Sequence, residues 1–87
     1  MDYRVIQEFK LQGDPPTQDQ LDRLRERLAA AAPEADSDIE LGVGRVRVLL
    51  TIDDAEAELA IERAQRAAST VFGGVPAHVQ VEPARRV

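Results

Sequence analysis

A tight β-hairpin near the middle of the chain limits the folds open to this sequence. After a turn at Val43-Gly44, valine, leucine and isoleucine recur at every second position, the period that is typical of a strand. Ile39 and Leu41 alternate in the same way before the turn. If the loop is Val43-Gly44, Leu41 lies opposite Val46 and Ile39 lies opposite Val48, so both apolar sets lie on one side. A three-residue loop would break this parity, which leaves loops of two or four residues. The sequence therefore predicts an antiparallel strand pair whose apolar face needs a covering layer.

The segments on either side of the hairpin predict two helices and two further strands. Thr17 and Gln20 form a capping-box pattern that opens the first helix, and Asp53 with Glu56 forms a similar pattern that opens the second. The predicted strands span 3–12, 38–43, 45–52 and 77–82, and the predicted helices span 17–32 and 54–72. We expect one α+β domain over residues 1–87, with a flexible tail at 84–87.

The order β-α-β-β-α-β resembles that of the ferredoxin-like fold over nearly the whole chain. This resemblance implies an antiparallel four-stranded sheet in the order 4-1-3-2, with both helices on one face. Gln7 interrupts the pattern of the first strand, because it occupies an apolar position while Ile6 occupies a polar one. Either a bulge shifts this strand, or Gln7 is a buried amide that needs hydrogen-bond partners.

Composition and charge narrow the partners of such a domain. The formal net charge of −5 argues against nucleic acid or an anionic membrane, since both need a basic surface. The absence of cysteine excludes disulfides, thiolate metal sites and cysteine nucleophiles. The sequence has neither an apolar run of about 18 residues nor a signal-peptide pattern, so we expect a cytoplasmic protein.

The sheet face opposite the helices predicts a protein interface. Ile6 and Leu49 lie in the middle of two strands on that face, where each would face water in a monomer. The surrounding charges carry both signs, which lets a two-fold copy of the face pair with itself. The predicted interface consists of Ile6, Leu49, Arg4, Glu8, Arg47 and Thr51. Our first hypothesis is a non-catalytic module that docks an unidentified protein or forms a homodimer through its open sheet.

An alternative hypothesis places a small-molecule site at the glycine-rich end of the sheet. The segment from Gly13 to Leu21 is similar to the Asp-x-Pro-Gly-x-Leu loop of ACT-like regulatory domains through Asp14 and Pro15 or Pro16, although the glycine after the proline is missing. The resemblance implies amino-acid binding near this loop at a subunit interface. The predicted topology brings several glycines to the same end. The ligand-binding residues of this alternative are Gly13, Asp14, Gly42, Gly44 and Gly73.

The titratable residues do not form a recognisable catalytic or metal-binding set. His78 is the single histidine of the chain and lies on the outward side of a predicted edge strand, without an obvious catalytic partner. Asp14 and Asp53 precede helices that begin at opposite ends of the predicted sheet, so they cannot share a Mg²⁺ or Ca²⁺ ion. We therefore predict no catalytic residue, no metal and no cofactor.

Overall fold

Six elements form one antiparallel sheet with two helices packed against it. A computed structural model of the chain describes residues 1–11 and 13–84. The elements are β1 (Asp2–Lys10), α1 (Gln18–Ala31), β2 (Asp36–Gly42), β3 (Arg45–Asp53), α2 (Ala57–Phe72) and β4 (His78–Pro83). The strand order β2-β3-β1-β4 is the predicted order 4-1-3-2 read from the other edge. The chain thus has the ferredoxin-like fold that the order of its elements predicts.

The register of the central hairpin agrees with the prediction from the sequence. Leu41 lies opposite Val46, and Ile39 lies opposite Val48. Gly44 in the turn has a φ of 68°, a conformation that side chains other than glycine rarely adopt. The two-residue loop therefore places both apolar sets on the face that the helices cover.

The hydrophobic core lies between this face and the two helices. Four alanines of α2 are buried in it, which brings the helix backbone close to the sheet. The fully buried side chains with the largest volumes are Leu28, Ile39, Leu50, Gln7, Val5, Val46 and Val48. Among the residues that the structure describes, no helix has the length and apolarity needed to cross a membrane.

Gln7 is a buried amide, and β1 contains no bulge at this point. Its pairing with β3 runs without interruption from Asp2 to Lys10. The side chain of Gln7 is 0% exposed, and its Nε2 donates a hydrogen bond to the carbonyl oxygen of Ala64 in α2 at 3.0 Å. Its Oε1 has no hydrogen-bond partner within residues 1–11 and 13–84. Gln7 therefore occupies an apolar position of β1 because its amide is buried against α2.

The predicted start of α2 is wrong by three residues. The helix begins at Ala57 with Glu56 as its N-cap, and the Glu56 side chain makes no capping hydrogen bond. The predicted capping pattern from Asp53 to Glu56 is therefore not formed. Instead, Asp54 Oδ1 accepts a hydrogen bond from the backbone N–H of Ala55 at 2.7 Å. This local bond competes with helix formation and delays the start of α2.

The strand boundaries also differ from the predicted ones at several ends. β1 ends at Lys10 rather than at residue 12, which lies outside the described residues. β2 begins two residues early, at Asp36, because its pairing with β3 extends to Thr51. β4 includes Pro83, which is tolerated because this strand lies at the sheet edge.

The predicted tail at 84–87 is only partly described. The backbone N–H of Ala84 donates a hydrogen bond to the carbonyl oxygen of Asp2 at 2.8 Å. Ala84 is therefore attached to the sheet, in contrast to the prediction of a flexible residue. The other residues of the predicted tail, 85–87, lie outside the described part of the chain.

The capping box of α1 is formed as predicted, and its removal should cost about 1 kcal/mol of unfolding free energy. Thr17 Oγ1 accepts a hydrogen bond from Gln20 N at 3.2 Å, and Gln20 Oε1 accepts one from Thr17 N at 3.0 Å. We expect Thr17→Ala to show this loss in urea unfolding, whereas Thr17→Ser keeps the hydroxyl and should lose less than half as much. A Thr17→Ala protein as stable as the wild type would contradict the prediction.

Candidate functional site

A groove of about 420 Å³ lies between α2 and the segment that connects α1 to β2. Most of its lining is apolar, and two arginines and a threonine of α2 supply most of its polar groups. The lining residues are Ala31, Ala32, Pro33, Glu34, Ala35, Ile52, Arg63, Arg66, Ala67 and Thr70. The groove is therefore an apolar depression with positive charge along one side.

Small side chains on both sides leave room for this groove. Pro33 follows the last turn of α1, where its ring prevents the helix from continuing, and alanines surround it. On α2, Arg63, Arg66 and Thr70 occur at intervals of three and four residues, which places them on one flank of the helix. This polar flank lies beside the alanine stripe that packs against the sheet.

The Arg63 guanidinium connects two segments at the edge of the groove. Its Nη2 donates to Glu34 Oε2 at 2.9 Å, and its Nη1 donates to the carbonyl oxygen of Asp53 at 3.2 Å and to Asp54 Oδ2 at 3.3 Å. Glu34 lies before β2, whereas Asp53 and Asp54 lie at the end of β3 and just after it. Arg63 therefore fixes the connection before β2 relative to the start of α2.

The contact with Arg63 also affects the ionisation of Asp54. Partial burial raises the pKa of this carboxyl, but hydrogen bonds from the backbone N–H groups of Ala55 and Glu56 and from Arg63 outweigh that effect. The pKa of Asp54 is consequently lower than its ordinary value of 3.8. A carboxylate with a lowered pKa stabilises the fold above its unfolded-state pKa, and this contribution is lost as the pH falls through its folded-state pKa.

We therefore expect Asp54 to titrate below 3.8 in a side-chain carboxyl NMR titration, and Arg63→Gln to raise its midpoint. The direction follows because the substitution removes a positive charge and a hydrogen-bond donor from the carboxylate. Arg27→Gln, on the exposed side of α1, is the control and should leave the midpoint unchanged. A midpoint at or above 3.8, or one that Arg63→Gln does not move, would contradict the prediction.

Arg66 differs from Arg63 in its surroundings within the described part of the chain. Its guanidinium makes no hydrogen bond or ion pair with any residue in the described ranges 1–11 and 13–84. The hydroxyl of Thr70, which also lines the groove, donates to the backbone carbonyl oxygen of Arg66 at 2.9 Å. Thr70 can then only accept a hydrogen bond from a bound molecule, whereas Arg66 can donate several.

The glycine-rich loops predicted to bind a small molecule lie at the other end of the sheet. There the carbonyl oxygen of Gly44 accepts a hydrogen bond from the N–H of Leu11 at 3.0 Å. Gly73 lines a second groove beside Leu11, of about 340 Å³, where the rings of Phe9 and Phe72 stack with centroids 5.2 Å apart.

The other residues of that predicted site are close in sequence to this end. Gly13 and Asp14 follow Leu11 and are exposed, and Gly42 pairs with Arg45 at the end of the hairpin. The structure thus brings Gly44 and Gly73 to one end of the sheet, and neither lines the larger groove. Ligand binding at these glycines stays a prediction.

The predicted interface residues lie together on the open face of the sheet. Ile6 and Leu49 are directly opposite each other in β1 and β3, and Thr51 lies opposite Arg4. Both apolar side chains are half-buried by their neighbours in the single chain, although the sequence analysis expected them to face water.

Ion pairs between strands account for much of the charge on this face. Glu8 Oε1 lies 3.2 Å from Arg45 Nη1 and 3.6 Å from Arg47 Nε, and Arg4 Nη1 lies 3.4 Å from Glu82 Oε1. The charges that the sequence analysis assigned to a partner are therefore partly matched within the chain. An interface formed by these residues stays a prediction.

The titratable residues are distributed as the topology predicts. Asp53 pairs with Asp2 at one end of β1, whereas Asp14 follows the other end. His78 is exposed and lies opposite Glu8 at the start of β4. Within the described part of the chain, no group of three or more acidic or histidine side chains is arranged to hold a metal ion.

Comparison with known proteins identifies one informative structural likeness. No protein-family model matches the chain, and no curated protein matches it. A crystal structure described as that of a "putative Antibiotic biosynthesis monooxygenase from Chloroflexus aurantiacus J-10-fl" matches with a TM-score of 0.56. The match covers 100% of this chain and 97% of that chain, at 15% sequence identity. The two chains share a fold.

This match contradicts our prediction of a non-catalytic module that self-associates or docks a protein through its open sheet. Over its whole length, the chain has the fold of a protein described as an antibiotic biosynthesis monooxygenase. From the sequence, the helices were expected only to cover one face of the sheet. This expectation therefore missed the flank formed by Arg63, Arg66 and Thr70, whose spacing on α2 is visible in the sequence.

Proposed function

We propose that this chain is an enzyme-like protein that binds a small, largely apolar organic molecule in the groove between α2 and the α1–β2 connection. The observation that carries the proposal is the groove, which has walls of alanine, proline and isoleucine and guanidinium groups on one side. The likeness to the Chloroflexus protein supports the proposal, because that protein is described as an antibiotic biosynthesis monooxygenase.

The size and lining of the groove support a ligand of this kind. A volume of about 420 Å³ falls within the range of roughly 300–1,000 Å³ that is usual for small-molecule sites. Burial of apolar ligand surface against Ala31, Ala35 and Ile52 would contribute roughly 25 cal/mol per Å². The few polar groups, Arg66 and Thr70 among them, would orient the molecule rather than supply most of its affinity.

The reaction class that the likeness favours is oxygenation of the bound molecule. A monooxygenase transfers one oxygen atom of O₂ to its substrate and releases the other as water, and the Chloroflexus protein is described by that activity. The two electrons and two protons that form the water would come from the bound molecule, for example when a CH₂ group is converted to a carbonyl group with one O₂ consumed and one water released. The groove would hold the molecule against the apolar wall and exclude water from that side. Oxygen uptake that depends on a bound molecule, measured with an oxygen electrode, tests this part of the proposal.

Binding in the groove is tested first with a neutral probe, 2-naphthamide, on the full ¹⁵N-labelled chain. We expect amide shifts at Ala35, Ala67 and Thr70, and we expect Ala31→Leu to weaken binding by about tenfold because the larger side chain fills the groove. Ala29→Leu, on the same helix but outside the groove, is the matched control and should bind as the wild type does. Shifts elsewhere, or equal effects of both variants, would contradict the proposal.

The sequence also leads us to expect a particular oligomeric state and cellular location, neither of which concerns the groove. We propose that the protein is a homodimer, which light scattering at several concentrations tests directly. A cytoplasmic location is likewise a proposal, and fractionation of cells that produce the protein tests it. Neither affects where the small molecule binds.

A further inference from the structure

We propose that the molecule bound in the groove carries an anionic oxygen group, such as a carboxylate, that binds the Arg66 guanidinium. This inference rests on the proposed function, because it defines the class of ligand for the same groove. It follows from the different environments of the two arginines on the polar flank of α2.

Arg63 is already occupied by acceptors from the protein. Its guanidinium donates to a Glu34 carboxylate oxygen, an Asp54 carboxylate oxygen and the carbonyl oxygen of Asp53, over distances of 2.9–3.3 Å. Its charge is matched by the carboxylates of Glu34 and Asp54, so an anion that bound Arg63 would have to compete with both of them. Arg63 therefore shapes the edge of the groove and is not its free cation.

Arg66 lies one turn further along α2 and lacks such acceptors. No hydrogen bond or ion pair of its guanidinium appears within residues 1–11 and 13–84. Guanidinium groups bind carboxylates through two parallel hydrogen bonds, which makes an anionic oxygen group the best match for this side chain. The adjoining apolar wall would receive the rest of the molecule.

The charges around the groove favour an anion despite the acidic character of the chain. The lining contains two guanidiniums and one carboxylate, and that carboxylate, Glu34, is bound to Arg63. Glu62 lies one turn before Arg66 on α2 but forms no ion pair with it in the described structure. Arg63 is also paired with Asp54, so the positive charge in this lining that no described carboxylate pairs with is that of Arg66.

The hydroxyl of Thr70 does not compete with Arg66 as a donor. Its hydrogen is directed to the backbone carbonyl oxygen of Arg66 at 2.9 Å. Arg66 is consequently the guanidinium of this groove that makes no hydrogen bond or ion pair within residues 1–11 and 13–84. An anion would satisfy its donors, whereas a neutral apolar molecule would leave them to water.

The test compares 2-naphthoate with its neutral counterpart, 2-naphthamide, in NMR titrations of the full chain. We expect 2-naphthoate to bind about tenfold more tightly, and we expect Arg66→Gln to abolish this preference. Arg27→Gln, an exposed arginine of α1 outside the groove, is the control and should keep it. Glu62→Gln should strengthen the preference, because it removes the acidic side chain closest in sequence on the same helix face.

The outcomes separate this inference from the proposed function. If both probes bind in the groove with equal affinity, or if Arg66→Gln retains the preference, the inference is wrong while the proposed groove stands. If 2-naphthoate shifts amides away from the groove, the anion binds elsewhere and the inference is wrong. If neither probe binds, both proposals are wrong.

Discussion

Replacement of Gln7 by glutamate is expected to lower the unfolding free energy by about 3 kcal/mol or more near pH 7. The side chain of Gln7 is 0% exposed, and its Nε2 faces the carbonyl oxygen of Ala64. A carboxylate at this position cannot donate the hydrogen bond to Ala64, and it is repelled by the partial negative charge of that carbonyl oxygen. It also has no counter-ion within the described residues. Urea unfolding near neutral pH measures the loss.

The effect of Gln7→Glu should depend on pH in a defined direction. Burial raises the folded-state pKa of the introduced carboxyl above its unfolded-state value of about 4.3. The folded state therefore favours the protonated carboxyl. The Gln7→Glu protein is most stable below about pH 4.3, and its free energy of unfolding falls as the pH rises through the folded-state pKa. Unfolding measured near pH 4 and near pH 7 tests this direction.

Gln7→Leu provides the matched control for Gln7→Glu. Leucine has a similar volume and removes both the hydrogen bond to Ala64 and the unpartnered Oε1, so its net effect should be within about 1 kcal/mol. A Gln7→Glu protein as stable near pH 7 as near pH 4 would contradict the prediction. A loss as large for leucine as for glutamate would show that shape, rather than charge, determines the effect.

Truncation of Leu28 should produce the second large effect. Leu28 is 0% exposed and is among the largest fully buried side chains that the structure describes. Leu28→Ala removes its buried methyl groups and leaves a cavity beneath α1. We expect the free energy of unfolding to fall by roughly 2–5 kcal/mol, the usual range for such changes. Chemical unfolding monitored by circular dichroism measures the loss.

Leu59→Ala is the control for Leu28→Ala because it removes the same atoms from a different environment. The Leu59 side chain is 43% exposed on α2, where its position departs from the apolar stripe of the sequence. We expect its truncation to cost less than about 1 kcal/mol. Equal losses for the two variants would mean that Leu28 contributes no more to the core than a surface leucine.

Periodicity was enough to predict the architecture, because β1, β3 and α2 each bury one regular face. The hairpin register at Leu41 and Val46 follows from alternation and the length of the turn alone. Gln7 shows where periodicity reaches its limit, since the pattern left a bulge and a buried amide as alternatives. The choice depends on Ala64, a residue far away in sequence that supplies the carbonyl oxygen.

The start of α2 was mispredicted because two local interactions compete within a few residues. Asp53, Asp54 and Glu56 all resemble residues at a helix start. The Asp54 side chain binds the neighbouring N–H of Ala55 and, through its other oxygen, Arg63. The contact with Arg63 depends on folding of the helix that follows, so the sequence before it cannot identify the first helical residue.

The groove was missed for a different physical reason. Its two sides come from segments about 30 residues apart, and their separation depends on how closely α1 packs against α2. The sequence shows Arg63, Arg66 and Thr70 on one flank of a helix. It does not show that Pro33 and its neighbouring alanines face them across an open space.

The division of α2 into two stripes affects how this protein can change during evolution. Ala60, Ala64 and Ala68 fix the helix on the sheet, whereas the exposed Arg63 and Arg66 face the groove. Substitution of the exposed arginines leaves the packing of the alanines intact. New ligand preferences can therefore arise at little cost to the stability of the fold. Ala67 belongs to both stripes. It is the position where a gain in ligand selectivity would most directly conflict with stability.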